Sequence, residues 1–165
     1  MSWRNRLTRR VALLGALAVL AACAMTPAYG PSGAGTALHG RVQLQEPNDV
    51  DGFSLNRRLT ERLGPESSAA YALDYRLTTA SVGQGITPDD VTTRYSLNGT
   101  ADFALTDIAT GAVVTRGRVS SFTSYSAVGT TIATLTAERD AHERLMVMLA
   151  DQIVTRLLAT GPRPQ

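Results

Sequence analysis

The chain contains no lysine, one cysteine and one tryptophan, and only 5% of its residues are aromatic. The lone cysteine, Cys23, excludes an internal disulfide framework and a thiolate metal site. The two histidines, His39 and His142, fit no His-x-x-x-His or His-Glu-x-x-His spacing, and no Cys-x-x-Cys is present. The common transition-metal patterns are therefore missing. There is no Gly-x-Ser-x-Gly nucleophile elbow. Gly83-Gln84-Gly85 follows a strand pattern, but no third glycine is in register and no helix comes after it, so it makes a poor phosphate cradle. Asp89-Asp90 is adjacent in a turn and needs only water. These absences leave no catalytic constellation, no metal site and no cofactor, and an enzyme is not expected.

With lysine absent, all basic charge rests on Arg, whose planar fork suits phosphate contacts better than an ammonium does. A GC-rich coding sequence would give the same composition. Four of the arginines, Arg4, Arg6, Arg9 and Arg10, precede an apolar run from Val11 to Leu20. A basic start, a short apolar stretch and small residues before a cut form the pattern of a secretory signal. The run is about half the ~20 residues that span a bilayer, so it is not a good permanent anchor. Leu20-Ala21-Ala22-Cys23 matches the bacterial lipobox, in which the thiol takes a diacylglycerol, the chain is cut before the cysteine, and the new amine is acylated. Residues 1–22 are thus read as a lipoprotein signal peptide and Cys23 as the lipidated first residue. Several acyl chains, at ~0.8 kcal/mol per buried CH₂, hold a protein on a membrane almost permanently. Ala24, rather than Asp, follows the cysteine, which favours export to the outer membrane by the enterobacterial sorting rule.

Removing the signal changes the charge. Of 16 basic residues 12 remain, against 14 acidic ones, so the net charge moves from +2 to −2. The computed isoelectric point near 9.0 then carries no message about nucleic acid. The remaining 143 residues suit one domain.

Residues 23–36 are rich in Pro, Gly, Ala, Ser and Thr without periodicity and read as a tether. Leu38–Glu46 alternates as a strand, with Leu38, Val42 and Leu44 on one face. Asn48 to Asp51 supplies helix caps, and Leu55, Leu59 and Leu63 predict an amphipathic helix from Phe53 to Leu63, stopped by Gly64-Pro65. Ala70–Val82 predicts a strand with Tyr71, Leu73, Tyr75 and Leu77 inward. Gly83 to Asp90 predicts a loop. Arg94–Ile108 predicts a strand with Tyr95, Leu97, Phe103 and Leu105 inward, and with Gly99 as a candidate bulge. Asp107 to Gly111 is a hairpin turn. Val113–Val128 predicts a Ser/Thr-dense strand with Val113, Val119 and Tyr125 on one face and Val114, Arg116, Arg118 and Phe122 on the other. A helix follows from Ile132 to Ala159, with Leu135, His142, Leu145, Met146, Leu149, Ile153 and Leu157 as its stripe. His142 is read as a packed residue rather than a ligand. Residues 161–165 form a tail.

The order βαβββα predicts an α+β two-layer sandwich: a mainly antiparallel four-stranded sheet covered by two helices, within residues 37–160. Arg116 and Arg118 stand two apart on one strand and so share a face. Arg94 or Arg76 could neighbour them across the sheet. Arg94, Arg116 and Arg118 are the candidate residues for binding a partner or phosphate. Ordinary surface charge paired with Asp and Glu is the alternative for each, and for Arg57, Arg58 and Arg62 on the first long helix.

Cys23-Ala24-Met25-Thr26-Pro27-Ala28-Tyr29-Gly30, placed before this element order, resembles the LPS-assembly lipoprotein family LptE in its alphaproteobacterial form. Mature chains of that group begin Cys-Gly-Phe-x-Pro-Leu-Tyr-Gly. Cys23, Pro27, Tyr29 and Gly30 match, whereas Ala24, Met25 and Ala28 depart. The resemblance implies an outer-membrane lipoprotein that plugs and helps assemble the barrel LptD. It implies lipopolysaccharide or the barrel as what Arg94, Arg116 and Arg118 contact, and the net charge of −2 gives a nucleic-acid partner no support. Two other classes compete: an auxiliary lipoprotein of an envelope lipid ABC-transport system, and an envelope hydrolase, for which the sequence nominates no residues.

Overall fold

The computed structural model describes residues 27–31, 33–86 and 92–162. In chain order these form helix α1 (Ala34–Leu38), strand β1 (Val42–Leu44), helix α2 (Val50–Leu63), strands β2 (Tyr71–Ile86), β3 (Thr92–Asp107) and β4 (Val113–Ser126), and helix α3 (Thr131–Thr160). The strands make one sheet in the order β1-β2-β3-β4. β1 runs parallel to β2, and the other two pairs are antiparallel. The α+β class and the succession of the main elements agree with the sequence reading, and α1 adds a third helix. The signal peptide, Cys23 and the last three residues lie outside the described residues.

Each long helix begins where its capping residue dictates. The Asp49 side chain accepts from the Gly52 N–H at 2.6 Å, and the Thr130 hydroxyl accepts from the Ala133 N–H at 3.2 Å. α2 stops at Gly64, whose φ of 81° lies where side chains are disfavoured. Leu55, Leu59 and Leu63 are buried together with Leu145, Met146, Leu149, Ile153, Val154 and Leu157 of α3. Against them pack Leu73 of β2, Leu97, Ala101, Phe103 and Leu105 of β3, and Val119 of β4. Alternation along each strand puts these residues on one face and leaves the other face open.

The two long helices are also joined by charge. Arg58 forks onto Asp151 at 3.0 and 3.1 Å, Arg62 reaches the same carboxylate at 2.9 Å, and Arg57 pairs with Glu143. The His142 Nδ1–H donates to Asp51, 2.9 Å from both carboxylate oxygens, so this histidine ties the start of α2 to the middle of α3. These pairs are partly exposed, so water screens them and each contributes little to stability. Their role is to set how α2 lies along α3.

Several boundaries differ from the sequence reading. The strand expected over Leu38–Glu46 is only Val42–Leu44. Leu38 instead ends α1 and is fully buried. Part of the expected tether is therefore structured: the Gly35 N–H donates to Ala28 O at 2.8 Å, and the Thr36 hydroxyl to Gly30 O at 2.9 Å. α2 starts at Val50 rather than Phe53 because Asp49 caps it. β2 continues through the expected loop to Ile86.

Gly99 is not a bulge, since it stays in register with Thr79 and Ser121. A Cβ there would lie 2.8 Å from Leu145 Cδ2, so the glycine admits α3 to the sheet. In the β3–β4 pairing the irregularity falls between Leu105 and Thr106, opposite Thr115 and Val113, and in the β2–β3 pairing the register shifts between Gly83 and Ile86. The first of these turns Val114 toward the core and leaves Val113 52% exposed. Leu135, expected on the buried stripe, is 57% exposed, because Asp51 at the start of α2 is level with His142 and the first turns of α3 extend past it.

Gly99→Val should destabilise the domain by about 1–3 kcal/mol, because the added methyls must displace a fully packed Leu145. Chemical denaturation of the variant beside the parent measures it, and equal midpoints would refute the seating of α3 on Gly99.

Candidate functional site

The open face of the sheet carries the side chains of alternate residues on β2, β3 and β4. Strand register sorts them into rows about 4.8 Å apart from strand to strand. Arg76, Asp102 and Arg118 form one row, and Asp74, Ala104 and Arg116 form the next. Further along come Thr78, Thr100 and Ser120, then Ala80, Asn98 and Phe122, then Val82, Ser96 and Ser124. The face thus carries hydroxyls in two of these five rows and the exposed ring of Phe122 between them, with three guanidiniums and two carboxylates gathered near one end.

Within this cluster Arg118 forks onto Asp102, Nε to Oδ1 at 2.6 Å and Nη2 to Oδ2 at 3.0 Å. The Arg118 hydrogen bonds and charge, helped by the charge of Arg76, hold the Asp102 carboxyl below the usual carboxylate range. The pair is well exposed, with side-chain exposures of 71% and 45%, so water screens it. Among the described residues Arg116 and Arg76 have no ion-pair partner within 4.0 Å. They line a shallow concavity with Asp74, Tyr75, Asp102 and Phe103.

Arg116 and Arg118 therefore share the face on which the sequence placed them, and Arg76 lies in the row of Arg118, two strands away with Asp102 between them. Arg94 is in neither row. It pairs with Ser126 at the far end of β3, ten residues from Ala104, or roughly 33 Å away at 3.3 Å per residue. Arg57, Arg58 and Arg62 are engaged between the helices. The alternation along the strands puts Asp74 and Asp102 on this face, but it does not show that Asp102 pairs with Arg118, because only strand register shows which carboxylate faces which arginine. No nucleophile sits beside a base on this face. Its donors suit anionic oxygens and hydroxyls.

A family model for LptE, described as lipopolysaccharide-assembly, matches residues 40–157. The chain belongs to the LptE family. Solved structures agree in fold. A Caulobacter crescentus chain assigned as a lipoprotein is 26% identical, with a TM-score of 0.62, the match covering 76% of this chain and 93% of that one. The rare lipoprotein B of Shewanella oneidensis is 14% identical with a TM-score of 0.57, covering 73% and 93%. Lipoprotein B of Nitrosomonas europaea is 12% identical with a TM-score of 0.55, covering 72% and 82%. Comparison with curated proteins returns no significant match.

For this LptE domain, the depressed Asp102 value means that its share of stability is present above the ordinary carboxylate range and is lost as pH falls through the lower folded value. Carbon-detected NMR titration should find Asp102 ionised to lower pH than an isolated aspartate. Arg118→Gln should return it toward the ordinary range. An Asp102 titration that Arg118→Gln leaves in place would refute the pair in solution.

Proposed function

We propose that this LptE-family protein is anchored by lipid on Cys23 in the outer membrane, where it plugs an LptD-like β-barrel, helps that barrel assemble, and supports delivery of lipopolysaccharide to the outer leaflet. The observation that carries the reading is the family match, which spans residues 40–157 and so nearly all of the described domain.

Three physical features support it. The lipobox ends four residues before Pro27, and four residues reach at most about 14 Å. The segment after Pro27 is held through α1 to the C-terminal end of α3, where Leu38 Cδ1 lies against Gly161. The lipid therefore enters at one pole of the domain, and the β2–β3 hairpin lies toward the other, since α3 is about 45 Å long. The open face is mostly polar, with Phe122 and Val82 as its exposed large apolar side chains, and such a face suits contact with a polar barrel lumen. Arg76 and Arg116 add donors for a barrel carboxylate or a lipid A phosphate.

Purification of the lipidated protein from its own membranes in mild detergent, with mass spectrometry of what accompanies it, tests the reading. One large outer-membrane barrel at near-equal stoichiometry is expected. An inner-membrane ABC transporter or its soluble lipid carrier in its place would overturn it. Cys23→Ser should leave the protein unlipidated and extractable without detergent. Replacing Arg116 and Arg118 together by Ala should weaken binding of the barrel or of lipopolysaccharide about tenfold, the scale of one charge-assisted hydrogen bond. Unchanged affinity for both removes those arginines from the interface.

A further inference from the structure

We propose that the end of the domain from which the chain leads back to Cys23 is a second membrane contact, where Tyr29, Arg41 and Ile108 meet the headgroup layer of the leaflet that holds the lipid. The inference rests on the lipid-anchor reading above and adds the protein surface that faces the bilayer.

The segment that reads as a tether is wound up against the domain. The Gly30 N–H donates to Pro27 O at 3.0 Å, the Gly33 N–H to Gly30 O at 2.9 Å, and the Gly35 N–H back to Ala28 O at 2.8 Å. The winding leaves no room for side chains: a Cβ on Gly33 would lie 2.1 Å from Ala28 O, and one on Gly35 would lie 2.6 Å from Cδ1 of Tyr29. α1 continues directly from it, and Ala34, Ala37 and Leu38 are buried. The chain is thus fixed to the domain from Pro27 onward. Fully extended, residues 24–37 would let the domain float about 50 Å from the lipid, whereas the stretch from Cys23 to Pro27 spans at most about 14 Å. The headgroup layer is itself roughly 5–8 Å deep, so a link this short holds the tethered end at that layer.

The side chains at this end suit that layer. Tyr29 and Ile108 are about half exposed, yet both are held: the Tyr29 ring lies against Gly35, and the Ile108 N–H donates to Ala70 O at 3.0 Å. The Ala70 N–H donates in turn to Arg41 O at 2.9 Å, so Ile108 and Arg41 flank the start of β2. The exposed Arg41 guanidinium lies 5.9 Å from the centre of the Tyr71 ring, and among the described residues no carboxylate comes within 4.0 Å of it. A tyrosine partitions to the membrane–water boundary, an isoleucine enters its apolar side, and a free guanidinium forks onto a lipid phosphate. The carboxylates of this end do not gather against a phosphate. Asp107 accepts from the Thr110 N–H at 2.9 Å and hydroxyl at 3.0 Å, and Glu61 pairs with Arg58 at 3.0 Å. Glu66 stands against Arg41 and Arg156, both exposed. With this end seated, the exposed Ile132 and Leu135 at the start of α3 stand about 45 Å off, the length of that helix.

Tryptophan fluorescence in the full-length protein tests this. Trp3 is the only tryptophan and leaves with the signal, so each variant reports from one place. Tyr29→Trp, Ile108→Trp and Leu135→Trp are purified from membranes and inserted into vesicles of phosphatidylethanolamine and phosphatidylglycerol brominated near the headgroup. Intact mass reads the lipid on Cys23, and far-UV circular dichroism checks the fold. Emission from Tyr29→Trp and Ile108→Trp should fall about twofold, and that from Leu135→Trp should stay as in plain vesicles. If neither of the first two is quenched, that end belongs to a protein partner, and the membrane contact is overturned while the lipid anchor stands. If all three are quenched alike, the domain lies flat and the end-on contact fails. In the Tyr29→Trp protein, Arg41→Glu with Ile108→Asp should abolish most of the quenching. Undiminished quenching there would assign the proximity to the short link alone and overturn the contact surface. A chain without lipid on Cys23 overturns both the anchor and the contact.

Discussion

The structure depends on the fit between the apolar stripe of α3 and the helix-facing side of the sheet. Leu145, Met146, Leu149, Ile153, Val154 and Leu157 are fully buried there. At roughly 1.5–3 kcal/mol for each large side chain removed from water, this one seam outweighs the surface ion pairs between the helices. Two small residues of β3 make the seam close. Gly99 and Ala101 sit where larger side chains would hold the helix away, and Phe103 turns its ring over Gly117, whose missing Cβ would lie 3.1 Å from it. The sheet is thus shaped to receive the helix. α2 then seats beside α3 through Leu55, Leu59 and Leu63, and Arg58, Arg62 and His142 set its position along the axis.

Covering one face leaves the other exposed, and its chemistry follows from that. Ser, Thr and Asn dominate its rows, so the open side can face water or a polar wall without exposing a continuous apolar patch. The Arg118–Asp102 fork removes one arginine from easy access by an anion, and Arg76 and Arg116 keep unpaired donors beside it. With carboxylates of Asp74 and Asp102 in the same two rows, the local excess is a single positive charge. That is enough to orient a phosphate or carboxylate, and too little to bind anions without regard to shape.

Much of this was legible in the sequence because the signals were local. Leucines at every fourth position announced α2. Alternating Tyr and Leu announced β2, and Arg116 and Arg118 two apart announced a shared face. What was missed depends on distant residues. The shortness of β1 follows from α1, whose Ala34, Ala37 and Leu38 pack under the end of α3 and use a segment that looks like a linker in isolation. The role of Gly99 follows from Leu145, 46 positions later. Val113 and Val114 exchanged faces because of a register shift that no alternation count detects. The neighbourhood of Arg76, Asp102 and Arg118 exists only once three strands are in register. The far position of Arg94 has the same origin, since a shared strand face says nothing about distance along the strand.

The two poles of the domain therefore differ in what they can supply for themselves. At the pole where the chain enters, α1, β1, both long helices and the Asp107–Gly111 turn converge, and the core is continuous. Toward the other pole α2 has ended, α3 extends with Ile132 and Leu135 exposed, and β2 is exposed on both faces from Thr78 to Gln84. That half is held by Leu97, Ala141 and the stacked rings of Tyr95 and Tyr125, whose centroids are 5.4 Å apart. A surface meeting Val128, Ile132 and Leu135 would remove apolar area worth ~25 cal/mol per Å². The buried core is thus densest at the end where α1 meets the C-terminal end of α3, and the exposed apolar side chains Val128, Ile132 and Leu135 lie at the opposite end.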